Sequence, residues 1–160
     1  MVAMISGVVL LATSLVPNAR DRQQEANRLA SLIGLSSDEA LFQGRDLGIE
    51  FITNGYRFVE FDPYLDRWNE MTGDDFLRPR ALPDQLRLEV SIEDRRVLLK
   101  DEAAAITGGR AADTGRPGSN YAPHVLVLSS GEITPFRLLI LRDTDRQEYA
   151  VTVTPERSIE

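Results

Sequence analysis

His124, the run Ser129-Ser130-Gly131, the triplet Gly108-Gly109-Arg110 and the aspartates Asp62, Asp66, Asp74 and Asp75 are the places where residue type and spacing could do chemistry. A dyad or triad with an imidazole base could use only His124, the sole histidine. It follows Pro123 at the start of an apolar run and reads as a strand-edge residue with no assigned chemistry. A nucleophile elbow needs a glycine two residues before the serine, which Ser129 and Ser130 lack, so they read as turn residues. Gly108-Gly109-Arg110 has neither the Walker spacing nor a following Lys-Ser/Thr pair to cradle phosphate. The aspartates do not follow a calcium loop, with its alternating carboxylates, central glycine and terminal glutamate, and read as a solvated acidic loop. No catalytic, cofactor-binding or metal-ligating residue is assigned, and these motifs assemble no active site, so no enzyme activity is expected.

Charge narrows the partners. Against 18 Lys and Arg stand 25 Asp and Glu, a net charge of -7, and no basic cluster interrupts the acidic balance. Such a surface repels phosphate backbones, so no nucleic-acid partner is expected. Cysteine is absent, which removes disulfides, thiolate metal sites and thiol nucleophiles. The length suits one globular unit with appendages.

The elements that would position these residues divide at residues 17 and 43. Residues 1–17 hold no charged side chain. Val2, Ile5, Val8, Val9, Leu11 and Leu15 give them an apolar character without the 3.6 period of a surface helix. As a helix, residues 1–16 would be about 24 Å long, a little under the hydrocarbon core of a bilayer. It is expected to be a transmembrane or filament-core helix; a secretory signal, which would want a basic residue before Arg20, and a buried core helix are the competing readings. Residues 18–43 continue as an amphipathic helix, with Ala26, Leu29, Ala30, Ile33, Ala40 and Leu41 on one face and Glu25 and Arg28 on the wet side. Pro17 is expected to kink a continuous helix or to occupy the first turn of a second one, Gly34 to be a second weak point and Gly44 to end the helix.

From residue 44 to 160 the period changes to 2. Leu47 to Phe51, the residues Thr53-Asn54-Gly55 at positive φ, and Tyr56 to Phe61 predict a tight hairpin. Tyr64 to Arg80 reads as a long polar loop. Leu86, Leu88, Val90 and Ile92 share one face of a strand with one wet side, which turns at Glu93 to Arg96 into Val97 to Leu99. Residues 100–120 read as a mobile loop. His124 to Leu128, apolar on both faces, reads as a central strand, followed by Phe136 to Leu141 and Tyr149 to Val153. Together these predict an α+β architecture: one long helix packed on an antiparallel β-domain of two sheets.

Three stretches carry a resemblance. Glu25-Ala-Asn-Arg-Leu-Ala-Ser-Leu-Ile33 is similar to a helix of the form E-A-x-R-L-A-x-L. Gly44-Arg-Asp-Leu-Gly-Ile-Glu-Phe51 with Gly55-Tyr-Arg-Phe58 resembles a first hairpin, and Ser130-Gly-Glu-Ile-Thr-Pro-Phe-Arg-Leu138 resembles the signature S-G-E-L/I-T/S-P-F-R-L/V. In that order they resemble the type II secretion minor pseudopilins of the H type, whose fold is pilin-like.

The resemblance implies a subunit near the tip of a periplasmic pseudopilus that helps export folded proteins across the outer membrane. The implied partners are other minor pseudopilins, the major pseudopilin, the inner membrane and the secreted exoproteins. It implies a single-pass inner-membrane protein with its C-terminal domain in the periplasm, and no cofactor. A type IV pilus minor pilin, or a periplasmic binding or enzyme domain behind a vestigial signal segment, are the alternatives. The family's basic leader and G-F-T-L-x-E block, with its methylated phenylalanine, are expected upstream of Met1.

Overall fold

The computed structural model describes residues 8–9, 20–71, 73–101, 121–142 and 145–154. Helix α1 (Arg20–Gln43) packs on two antiparallel sheets. One has the order β1-β10-β9-β6-β7, built from β1 (Val8–Val9), β10 (Asp145–Val153), β9 (Phe136–Arg142), β6 (Leu86–Ile92) and β7 (Arg95–Val97). The other has the order β4-β3-β2-β8, from β4 (Arg67–Glu70), β3 (Gly55–Asp62), β2 (Leu47–Ile52) and β8 (Val125–Val127), with the short β5 (Arg80–Ala81) also on β3.

Alternation decides which side of each strand meets the core. Leu86, Leu88 and Val90 of β6 are buried while Arg87 is exposed, and Phe136, Leu138 and Ile140 of β9 repeat the pattern with Arg137 outside. These residues join Leu47, Ile49, Phe51, Val125 and Val127 of the other sheet, and Ala26, Leu29, Leu32, Ile33 and Ala40 of α1, in one apolar cluster. Leu29 and Ile33 are almost wholly buried, each contributing about 1.5–3 kcal/mol of transfer free energy. Gly44, at φ 62, ends α1, and Arg45 N–H donates to Ala40 O at 3.2 Å. That six-to-one bond is the signature of a glycine-terminated helix. Gly34 sits inside α1 without interrupting it.

Several expectations need correction. A single-pass inner-membrane helix is not supported: no helix among the described residues is long and apolar enough to cross a membrane. The reason lies in α1 itself, whose sequence includes Arg20, Asp21, Arg22, Glu25, Arg28, Asp38 and Glu39, and charges at helix depth oppose insertion. Val8 and Val9, expected in the apolar helix, form a strand paired with Val153 and Thr152 of β10, while Val2, Ile5, Leu11, Leu15 and Pro17 lie outside the described residues.

Glu25, expected on the wet side, is only 6% exposed, because that turn of α1 faces the aromatic residues Tyr56 and Tyr149. Leu41, expected inside, is 48% exposed and lies alongside the turn at Gly131. The β2–β3 hairpin closes through Thr53 and Asn54 as expected, yet neither these residues nor Gly55 takes positive φ. Instead the tip is braced from outside: Thr53 O and Asn54 O accept from Leu88 and Leu82 N–H at 2.7 and 2.8 Å. The loop read from Tyr64 to Arg80 contains β4, whose Trp68 packs on Phe61. The strand expected at Val97 to Leu99 is displaced to Arg95–Val97, and Leu98 is 91% exposed. β8 is an edge strand rather than a central one, with Leu126 partly exposed. The loop expected from residue 100 to 120 falls outside the described residues from 102 onward.

Candidate functional site

Among the described residues the chemistry-bearing side chains do not converge. His124 stands immediately before β8, where its Nδ1 accepts from Phe51 N–H at 3.0 Å and its own N–H donates to Ile49 O at 2.9 Å. Burial lowers its pKa below the ordinary histidine value of 6.5, with Glu50 opposing that shift and Lys100 adding to it. The ring is a neutral acceptor committed to a backbone amide.

Ser129 and Ser130 form the turn between β8 and β9. There Ser129 N–H donates to Asp46 Oδ1 at 2.8 Å, and Gly131, at φ 91, donates to Leu128 O at 2.9 Å. Asp62 accepts from Tyr64 and Leu65 N–H, and Asp74 from Phe76 and Leu77 N–H. These carboxylates hold turns. Among the described residues no group of three or more His, Cys, Asp or Glu side chains could hold a metal. Gly108-Gly109-Arg110 lies outside the described residues.

Two features escaped the sequence reading. The first is a polar cluster on the outward face of the β4-β3-β2-β8 sheet. Arg57 Nε donates to Glu50 Oε2 at 2.6 Å, both side chains being 8% exposed, and its Nη1 lies 3.8 Å from Glu70 Oε2. Tyr121 covers the guanidinium with its ring centroid at 4.6 Å and donates its hydroxyl to Glu70 at 3.2 Å. Burial, with Glu70 beside it, pushes the Tyr121 pKa up. The signal was available in register: a two-residue turn at 53–54 sets Glu50 opposite Arg57.

The second is a group of exposed apolar side chains at the end of α1. Leu35, Leu41 and Phe42 are 38%, 48% and 89% exposed, and Gly34 beside them has open space where a Cβ would stand. A helix already committed to the core by its other face has no folding reason to expose such residues. Among the described residues the arrangement offers surfaces, not a reaction centre.

Comparison with known proteins agrees. The family described as type II transport protein GspH matches residues 25–156. Type II secretion system protein H of Pseudomonas aeruginosa is 28% identical over 137 residues, covering 86% of this chain and 73% of that relative. Its counterpart in Aeromonas hydrophila is 24% identical over 157 residues, covering 96% and 82%. Among solved structures, the minor pseudopilin EpsH of Vibrio cholerae superposes with a TM-score of 0.63 at 22% identity, covering 84% of this chain and 91% of that one. Escherichia coli GspH does so with a TM-score of 0.56 at 18% identity, covering 86% and 87%. At these identities the superpositions speak for the fold. The family match takes in most of α1 and every described strand but β1, and decides against a type IV pilin or an enzyme domain: the chain belongs to the GspH family, the minor pseudopilins of type II secretion, and is a structural subunit.

Proposed function

We propose that the chain works by assembly: its folded domain docks against other minor pseudopilins and the major pseudopilin of a periplasmic pseudopilus, and so helps move folded exoproteins across the outer membrane. The observation that carries this reading is the family match over residues 25–156. The exposed apolar side chains Leu35, Leu41 and Phe42 support it as places where a neighbour could gain buried area. Catalysis has no part in the reading.

The test is capture. The tagged chain, immobilised, is offered the other pseudopilins of the same secretion system singly and together. Retention of at least one at physiological salt is expected. If none is retained in any combination, and cells lacking the chain release exoprotein normally, the assembly reading is wrong.

A further inference from the structure

Residues 121–124 lie as a strap across the outward face of the β4-β3-β2-β8 sheet. Tyr121 sits on Arg57 and donates to Glu70. Pro123 occupies the space left by Gly48, where a Cβ would come within 2.5 Å of the proline Cβ and 3.2 Å of Trp68 Cζ3. At the end of the strap, His124 N–H donates to Ile49 O, and Phe51 N–H donates to His124 Nδ1 at 3.0 Å. β8 pairs with β2 only from Ile49↔Val125 to Leu47↔Val127. The imidazole thus extends that ladder by one bond after the backbone of the strap has turned away. Its ring also stacks on Phe51, with centroids 6.4 Å apart.

A ring nitrogen that accepts a backbone N–H must be unprotonated. The charged groups facing it are Glu50 on β2, whose carboxylate is held by Arg57, and Lys100 beyond β7. With its carboxylate already engaged by a guanidinium, Glu50 is poorly placed to neutralise an imidazolium. We propose that His124 is an acid-operated latch. Protonation of Nδ1 by solvent sets two donors against each other at the Phe51 amide, releases the strap, and uncovers Gly48, Trp68 and the Glu50–Arg57 pair.

Burial supports the direction of the switch. The folded pKa lies below the unfolded value of 6.5, so in acid the unfolded or released chain binds more protons than the latched one. The stability the latch contributes is fully present above 6.5 and is lost as pH falls through that value towards the folded pKa. The latch is a property of this fold and stands independently of which pseudopilins the chain meets.

Trp68, the only tryptophan, borders the same space at Gly48 as Pro123 and so reports the strap. Its emission in the full chain, titrated from about pH 8 to about pH 5 where only histidine changes charge among ordinary side chains, should shift to the red with a midpoint below 6.5 and recover on return. His124→Asn places an oxygen acceptor where Nδ1 stood and cannot be protonated, so its emission should stay flat. Unchanged emission in the native chain, or the same midpoint in the Asn variant, would overturn the proposal. Should the variant not fold, the His124 ring titrated by NMR in the native chain decides: a pKa at or above 6.5 also overturns it.

Discussion

Arg57 is bracketed by Glu50, Glu70 and the face of Tyr121, which take the place of the water its guanidinium has lost. Truncating one partner of such a pair leaves the other buried and uncompensated. Arg57→Met should therefore cost about 3–5 kcal/mol, measured as a lowered midpoint in urea. The double change Glu50→Leu with Arg57→Met should cost less than Arg57→Met alone, because neither charge is then stranded. Tyr56 poses the opposite case. Its hydroxyl is buried without a hydrogen-bond partner among the described residues. Burial, with Glu25 nearby, pushes its pKa up to about 12. A phenol that loses its water contacts and gains none is a cost to folding, so Tyr56→Phe should raise stability by about 1 kcal/mol in the same urea titration. A loss of that size would mean that the hydroxyl has a partner.

At the scale of elements, local geometry explains both what the sequence made legible and what it did not. β6 was legible residue for residue, because Leu86, Leu88 and Val90 face one core while Arg87 and Glu89 face outward, and that alternation is a strand's own period. α1 was legible from Ala26, Leu29, Ala30 and Ile33, and its end from Gly44. β4 was not, since Arg67-Trp-Asn-Glu70 is short, carries no alternation and owes its existence to pairing with β3. The burial of Glu25 and the edge position of β8 were equally hidden, because each is set by which distant element lies alongside. The candidate assembly surface escaped because Leu41 satisfies the helical period whether or not the sheets reach it.

The β6–β7 turn shows a related tension. Register joins Ile92 to Arg95 and puts Glu93 and Asp94 at φ 51 and 60, the left-handed pair that a tight hairpin needs. Glutamate is a poor occupant of that region, and Asn-Gly relieves the strain. Glu93→Asn with Asp94→Gly should raise stability by roughly 1 kcal/mol, read as an increase in Tm. No gain would mean that the turn is not strained in solution.

On the whole molecule, α1 faces two ways, and the two faces separate folding from assembly. Inward, Leu29 is 1% exposed in the shared core of helix and sheets. Outward, Phe42 is 89% exposed at the end of the same helix, near the solvent-facing Leu35 and Leu41. The free energy available from each is of the same kind, but it is realised in different events: Leu29 on folding, Phe42 only when a neighbour covers it. Leu29→Ala should therefore cost about 2–5 kcal/mol and reduce assembly only in proportion to the chain lost to unfolding. Phe42→Ser should change stability by no more than about 0.5 kcal/mol. In the capture experiment it should nonetheless retain at least tenfold less of a pseudopilin partner, the loss of about 1.4 kcal/mol or more expected of a large apolar side chain that acts as a binding hot spot. Both readings come from one pair of proteins, with a urea titration for folding and retention on the immobilised chain for assembly. Full retention by a well-folded Phe42→Ser chain would show that neighbours dock elsewhere, and would remove the end of α1 from the assembly surface while leaving the family assignment intact.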